Sequence, residues 1–293
     1  MELIPLKNKD ESPEKEIEEI YEEGKYPKKE YEYVHDFEWN DTLEKEAQEI
    51  INNNPENVDS LNSFIDTQSK NWEKFYKFNK TNFFKDRHYI LEEFQELKND
   101  TREKITLLDM GCGVGNSFYP LLVRVPNIYV NAFDFSKRAV NMAKTHEMYE
   151  KEKYRINLFN LDLVKDDIPY KNNDYGILMF VLSAIKPEEH ENVIKKIAGV
   201  INKDGILYFR DYARYDMAQL RFAQRKKNKV GENLYMRKDK TLSYFFDKGE
   251  IEKLFEKNGF SIVNSNLICR VIENRKENKK MHRLWIQIKF KKN

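Results

Sequence analysis

Three glycines and two acids are spaced to do chemistry together. Gly111, Gly113 and Gly115 stand as G-x-G-x-G directly after the apolar run Ile105-Thr-Leu-Leu-Asp-Met110. Glycine serves where the backbone must turn sharply and let a ligand approach. A strand, a glycine-rich turn and a helix make the mononucleotide-binding start of a doubly wound α/β sheet. The spacing is not the G-x-G-x-x-G of dinucleotide enzymes. Asp134 follows Gly115 by nineteen positions and ends the next apolar run, where an acid can accept both hydroxyls of a ribose. Asp162 ends the third run and can accept an adenine amino group, with Phe135 and Leu163 flanking the ring. Val181, after the fourth run, borders the same crevice. Acids at successive strand ends read as an S-adenosylmethionine site, the glycine loop admitting the methionine part. The ordinary alternative for Asp134 and Asp162 is capping of the helices that follow. Cys112 is a small filler in a tight loop, with no base nearby to make it a nucleophile.

The acceptor narrows by elimination. Phe180-Val-Leu-Ser183 replaces the Asp/Asn-Pro-Pro-Tyr/Phe turn that holds exocyclic amines, and neither cysteine has the Pro-Cys context of a pyrimidine carbon-5 nucleophile. A ring nitrogen such as N3 of neutral cytosine is already nucleophilic and needs no strong base. Its cationic product would be helped by an acid near the base. Asp211, in Phe209-Arg-Asp-Tyr212 at the end of the fifth run, is the candidate; a salt bridge to Arg210 or a loop cap is its plainer role.

The elements that must hold these residues alternate regularly. Strands are predicted at 105–110, 128–134, 156–161, 175–183, 205–211, 260–268 and 283–290, with helices at 116–124, 136–149, 188–201 and 247–258. This is a mainly parallel sheet with helices on both faces. Residues 212–242 break the pattern with nine Lys and Arg, an insertion over the active-site crevice. Upstream, a helix is predicted over Asn40–Ile51, capped by Asp41 and broken by Asn52-Asn-Asn-Pro55. Trp72 and Tyr76 share a helical face ahead of Phe83-Phe84-Lys85-Asp86-Arg87-His88. Read alone, these aromatics favour a helix packed on the sheet over a lid that brings Arg87 to the substrate.

Bulk properties fix the setting. With 293 residues and 34% charged side chains, the chain can bury a core under a densely charged surface. Residues 1–60 hold 19 Asp plus Glu against 7 Lys plus Arg, so an acidic start offsets a basic remainder fit for a polyanion. There is no membrane-length apolar run, and the acidic start suits neither a secretory nor a mitochondrial leader. Two cysteines make neither a disulfide framework nor a zinc set. A reducing, cytoplasmic protein without structural metal or membrane contact is expected. The segments are 1–38, acidic and flexible; 39–100, a helical capping region; and 101–293, the methyltransferase domain with its insertion.

Seven motifs in order carry a resemblance: Trp72-Glu-Lys-Phe-Tyr76, Asn82-Phe-Phe-Lys-Asp-Arg-His88, Asp109-Met-Gly-Cys-Gly-Val-Gly-Asn116, Asp134-Phe-Ser136, Phe180-Val-Leu-Ser-Ala184, Phe209-Arg-Asp-Tyr212 and Ser243-Tyr-Phe-Phe246. The series resembles the tRNA 3-methylcytidine methyltransferases, which modify cytidine 32 of the anticodon loop, over about Trp39 to Phe290. The resemblance implies a class I, Rossmann-like fold and an N-terminal helical region closing on cofactor and tRNA. It also implies that Trp72 and Tyr76 border the cofactor and that Arg87, Arg210 and Asp211 line the base pocket. Cys269-Arg-Val-Ile-Glu-Asn-Arg275 and Arg283-Leu-Trp-Ile-Gln-Ile-Lys-Phe290 resemble the threonine-tRNA branch more than the serine branch. A tRNA-associated protein partner stays possible. The rival readings are a methyltransferase of a small molecule or protein, a non-catalytic tRNA-binding protein, and a dehydrogenase, the last disfavoured by the loop spacing.

Overall fold

The computed structural model describes residues 36–53, 67–81, 85–225, 228–274 and 279–293, without the side chains at 273–274 and 279–280. The chain separates into two units, Met1–Val34 and His35–Asn293, and every described residue lies in the second. Of the predicted acidic segment 1–38, residues 1–35 lie outside the described residues. So do Asn54, Pro55, Asn82, Phe83, Phe84, Lys226, Lys227 and Arg275.

Five parallel strands make the centre: β1 (Ile105–Met110), β2 (Ile128–Asp134), β3 (Ile156–Asn160), β4 (Asn173–Met179) and β5 (Ile201–Tyr212). Three short strands, β6 (Lys229–Gly231), β7 (Leu234–Met236) and β8 (Leu242–Tyr244), form a separate sheet, and β9 (Phe260–Asn274) and β10 (Lys279–Lys292) close the main one. The order is β3-β2-β1-β4-β5-β10-β9, with β10 antiparallel to β5 and β9. The expected class I, Rossmann-like sheet is present. Apolar runs such as Ile105–Met110 are buried on both faces because helices cover both sides. The chain order reverses between β1 and β4, which opens the crevice at their carboxyl ends.

The helices are α1 (Asp41–Asn52), α2 (Gln68–Asn79), α3 (Ile90–Glu93), α4 (Gln95–Asn99), α5 (Phe118–Arg124), α6 (Lys137–Ala143), α7 (Glu147–Glu152), α8 (Pro187–Ala198), α9 (Met217–Ala223) and α10 (Lys248–Lys257). Several boundaries depart from the sequence expectation. The cap of α1 is Asn40, whose side chain accepts from Thr42 and Leu43 N–H, and Asp41 is the first helical residue. The helix predicted over 136–149 is two helices joined at residues 144–146. The fourth strand stops at Met179, not Ser183, because Phe180 turns to φ +59° and a 3₁₀ turn follows at Leu182–Ala184. The last two strands outrun their predicted ends because they pair with each other as one long hairpin, and their alternating polar residues hid the extra length. The insertion is folded rather than merely polar. It holds α9 and the small sheet, and Phe222, Tyr235 and Phe245 pack with Ile51 of α1.

Candidate active site

The turn after β1 holds Gly111, Gly113 and Gly115 at φ +66°, +58° and +98°, a region where side chains are strained. Space is as restrictive as conformation. A Cβ on Gly111 would lie 2.5 Å from Val181 Cγ2, and one on Gly113 2.9 Å from Tyr76 Oη. Cys112 N–H donates to the Phe133 carbonyl at 2.9 Å, extending the β1–β2 pairing into the turn. Gly113 N–H donates to Asp134 Oδ2 and Ser136 N–H to Oδ1, each at 2.9 Å. Each carboxylate oxygen keeps a second acceptor site. Burial pushes Asp134 up to about 6, against the pull of those two N–H groups.

Two chambers meet at Gly111, Phe135, Val181 and Ala184. The inner one, about 80 Å³, is lined by Trp72, Tyr76, Arg87, Asn116, Asp134 and Phe180. The outer one, about 360 Å³, is lined by Phe133, Leu161, Asp162, Leu163 and Leu242. That volume lies within the range of roughly 300–1,000 Å³ common for small-molecule sites. Asp162 faces this chamber while Oδ1 accepts from Val164 N–H at 3.0 Å, so it fits the cleft and also turns its own loop. Helix α2 lies across the glycine turn. Trp72, Phe75 and Tyr76 bury themselves with Val114 and Ala139, and Trp72 Nε1 is buried without a hydrogen-bond partner. The aromatic face thus packs on the glycine turn and α6 rather than on the sheet itself, and walls the cleft at once. These residues fit an adenosyl ligand: a cradle of bare backbone, an acid with free acceptor sites, and apolar ring faces.

The three residues expected around the acceptor base do not share one position. Arg87 lines the inner chamber. Its N–H donates to the Asn116 carbonyl at 2.8 Å, its guanidinium donates to Ser117 Oγ at 2.6 Å, and its charge sits 5.8 Å from the Phe180 ring centre. Arg210 and Asp211 lie behind the wall. Neighbours on a strand point to opposite faces, so the pair cannot both reach the cleft or each other. Arg210 is 4% exposed; its guanidinium donates to Glu93 at 2.7 Å and stands 4.5 Å from the Tyr89 ring centre. The plainer role considered for Asp211, a salt bridge to Arg210, is thus taken by Glu93. Burial outweighs the Arg210 cation and lifts the Glu93 carboxyl above its ordinary range. Asp211 is fully buried, accepts from Ser183 N–H at 3.0 Å and Tyr212 N–H at 2.9 Å, and is pushed up by burial to about 6.

Sequence reasoning passed over Asp109. It is buried at the end of β1 with Oδ2 unpartnered, and burial lifts it to about 7 although the Arg87 charge pulls it down. The signal was present as the lone acid in an apolar run. Phe180 was read only as part of a motif. Its left-handed backbone, held where Phe180 N–H donates to the Arg210 carbonyl at 2.8 Å, places the residue in the lining of the inner chamber.

Residues 83–265 match the family described as Methyltransferase domain. The chain is 42% identical over 230 residues to tRNA N(3)-cytidine methyltransferase METTL6 of Homo sapiens, covering 76% of this chain and 80% of that protein. It is 30% identical over 297 residues to tRNA N(3)-cytidine methyltransferase METTL2 of Xenopus tropicalis, covering 87% and 88%. Among solved structures, an S-adenosylmethionine-dependent methyltransferase from Clostridium acetobutylicum matches at TM-score 0.54 and 14% identity, over 76% of this chain and 98% of that one. At that identity the match speaks for the fold.

Proposed function

Because the chain belongs to the tRNA N(3)-cytidine methyltransferase family, we propose that it methylates N3 of a cytidine in tRNA, using S-adenosylmethionine. We further propose position 32 of the anticodon loop as the target and a threonine tRNA as the substrate. Those two refinements rest on the motif series and on the sequence of the C-terminal hairpin; the names of the relatives specify neither a tRNA nor a position, and the METTL6 relative is more identical to this chain than the METTL2 relative. The observation that carries the reading is the cleft itself, two chambers joined at Gly111 and Val181, the larger beside Asp162 and Leu163 and the smaller lined by Gly113, Asp134, Arg87 and Phe180.

S-adenosylmethionine supplies an electrophilic methyl group. Asp134 would accept the ribose hydroxyls, Asp162 the adenine amino group, and Phe135 and Leu163 would hold the ring. Gly111 and Gly113 leave bare backbone for the methionine end, with Val181 behind it and Trp72 and Tyr76 above. Phe180 offers its ring to the acceptor base, and Arg87 stands over the same face, where it can meet the flanking phosphate. Neutral N3 carries its own lone pair, so no residue of the chain has to remove a proton from it; with the cofactor bound, the methyl group would pass to N3 as its bond to sulfur breaks, leaving S-adenosylhomocysteine. Asp211 works from beneath: it fixes the turn through Ser183 N–H, and its negative charge opposes the positive charge of the product. Arg210 braces the wall through Tyr89 and Glu93.

The test is incubation of the purified chain with labelled S-adenosylmethionine and threonine or serine tRNA, followed by nucleoside mass spectrometry. Expected is 3-methylcytidine in the threonine tRNA, absent when cytidine 32 is replaced. Transfer to serine tRNA alone would refute the threonine reading, and transfer to small molecules or protein without RNA would refute the tRNA reading. Asp134→Ala should lose cofactor binding and transfer together. Asp211→Ala should keep cofactor binding yet lose transfer; full activity there would remove it from the mechanism. If several phosphates are gripped, tRNA affinity should fall by roughly 10³–10⁵ between 50 and 200 mM salt.

A further inference from the structure

The cofactor wall and the basic insertion are joined by side chains that line up along one end of α2. Gln68, at the start of α2, donates through Nε2 to the Lys240 carbonyl at 3.1 Å and accepts at Oε1 from Leu242 N–H at 3.2 Å. One turn on, buried Asn71 donates to the same carbonyl at 2.9 Å. Trp72 follows it, with the Arg237 guanidinium 6.0 Å from its ring centre. Helix α2 therefore meets the β7–β8 turn and the start of β8 through three residues, Gln68, Asn71 and Trp72, with three hydrogen bonds to backbone.

That turn is braced from within. Arg237 N–H donates to the Thr241 carbonyl at 2.8 Å and Lys240 N–H to the Arg237 carbonyl at 2.9 Å. Asp239 Oδ1 accepts from Thr241 N–H at 3.0 Å and from its hydroxyl at 2.6 Å. A braced turn passes on a displacement rather than absorbing it. Its outer side carries exposed Lys238 and Lys240, and its inner end, Leu242, lines the outer chamber. On the other side α2 is fixed by Glu73, whose Oε1 accepts from Ser136 Oγ at 2.9 Å and Arg138 N–H at 3.0 Å, next to Asp134.

We propose that Gln68 and Asn71 are positioning residues that tie the cofactor-covering helix to the basic β7–β8 turn, so that tRNA and S-adenosylmethionine each strengthen the other's binding. RNA phosphate held by Lys238 and Lys240 fixes the turn; the turn fixes α2; α2 holds Trp72 and Tyr76 against the cofactor. Coupling of this kind is reciprocal. The inference rests on the tRNA reading above.

The experiment is calorimetric titration of the full chain with S-adenosylhomocysteine, alone and with a saturating tRNA anticodon stem-loop. Melting curves verify that each variant is folded. The parent should bind the cofactor product at least about fivefold more tightly with RNA present, within the usual range of roughly 5–150-fold. Gln68→Ala/Asn71→Ala should bring that ratio close to one, by losing more affinity with RNA than without it. Asn71→Ala alone, which leaves the Gln68 bonds, should keep an intermediate ratio. A parent ratio of one, an unchanged ratio in the double variant, or an equal loss with and without RNA overturns the coupling. Methyl transfer by the parent to the same tRNA is measured in parallel. Its absence would sink the tRNA reading and the coupling with it, whereas transfer without a ratio sinks the coupling alone.

Discussion

Replacing Arg210 with methionine keeps a buried stem and removes the guanidinium. Glu93, whose side chain is one-tenth exposed, then loses its partner cation and keeps the Gln287 amide and the weaker pull of the Arg270 charge. Breaking one side of a buried pair costs roughly 3–5 kcal/mol. Protonation sets a ceiling on the charge part: moving a carboxyl from its ordinary value to pH 7 costs about 1.36 kcal/mol per unit, or roughly 3.5 kcal/mol. The lost contact with the Tyr89 ring, at 4.5 Å, adds about 0.5–1 kcal/mol. The expected loss at pH 7 is thus about 4 kcal/mol, and about 8–16 °C in melting temperature for a domain near this size. The sign with pH follows from Glu93. Its folded carboxyl is already raised, and losing the cation raises it further, so its contribution is intact at acid pH and is lost as pH rises. At pH 5 the proton costs only about 1 kcal/mol, and the defect should shrink by more than half. Glu93→Gln/Arg210→Met should recover most of the stability because no buried charge remains. The assay is thermal melting at both pH values, with methyl transfer measured beside it. If Arg210→Met melts within about 2 °C of the parent at pH 7 while transfer is lost, Arg210 faces the substrate and the bracing role is wrong.

Other perturbations test the cleft. Gly113→Ala forces a side chain into φ +58° and sets its Cβ 2.9 Å from Tyr76 Oη. It should cost roughly 1–2 kcal/mol of stability and weaken S-adenosylhomocysteine binding; unchanged affinity in calorimetry would mean the turn is not the cradle. Asp134 must be ionised to accept ribose hydroxyls and titrates near 6 without ligand, so cofactor affinity should tighten from pH 5 to pH 7.5. Asp134→Asn should bind weakly and flatly across that window, and a flat profile in the parent contradicts the role. Asp109, raised from its ordinary value to about 7, favours the fold when protonated, an advantage lost as pH rises through 7. Asp109→Asn should therefore be more stable than the parent at pH 8 but not at pH 5, by at most about 4 kcal/mol, read as a rise in melting temperature; an equal change at both values excludes a buried titrating acid.

The sheet was legible because its strands are apolar runs ended by glycine and acid, and both signals are local. The glycine turn and the placing of Asp134, Phe135, Asp162 and Leu163 along one cleft follow from strand ends alone. What stayed hidden depends on contacts across the fold. Nothing within Phe209-Arg-Asp-Tyr212 says that Glu93, more than a hundred residues earlier, claims the arginine. Strand alternation does say that Arg210 and Asp211 must part company, and that step could have been taken from the sequence. The left-handed Phe180 was invisible because a phenylalanine in an apolar run reads as strand. The core of the insertion was hidden because its nine lysines and arginines outnumber the aromatics Phe222 and Tyr235, which pack with Phe245 just beyond it.

Selectivity for the acceptor must come from what is added to the sheet, and those additions depend on one another. Trp39 stacks on Tyr215 at 5.7 Å, Gln48 accepts from Arg214 and from the Tyr215 hydroxyl, and Ile51 packs with the insertion aromatics. Asp36 N–H donates to the Cys269 carbonyl, while the Asp36 carboxylate takes Val271 N–H and pairs with Arg270. The segment before α2 therefore clamps both basic elements, the insertion and the long hairpin. Deleting it would uncover Phe222 and Phe245 and free the hairpin edge, so lost tRNA binding in such a truncation would not locate RNA contacts in the deleted residues. Point changes that spare the packing discriminate better. Charge reversal at exposed Lys238 should weaken tRNA binding and reduce its salt dependence without moving the melting temperature. Gln48→Leu should lower the melting temperature first and tRNA binding only as a consequence. If the two variants behave alike in both measurements, the N-terminal segment touches RNA directly and the clamp is not its main role.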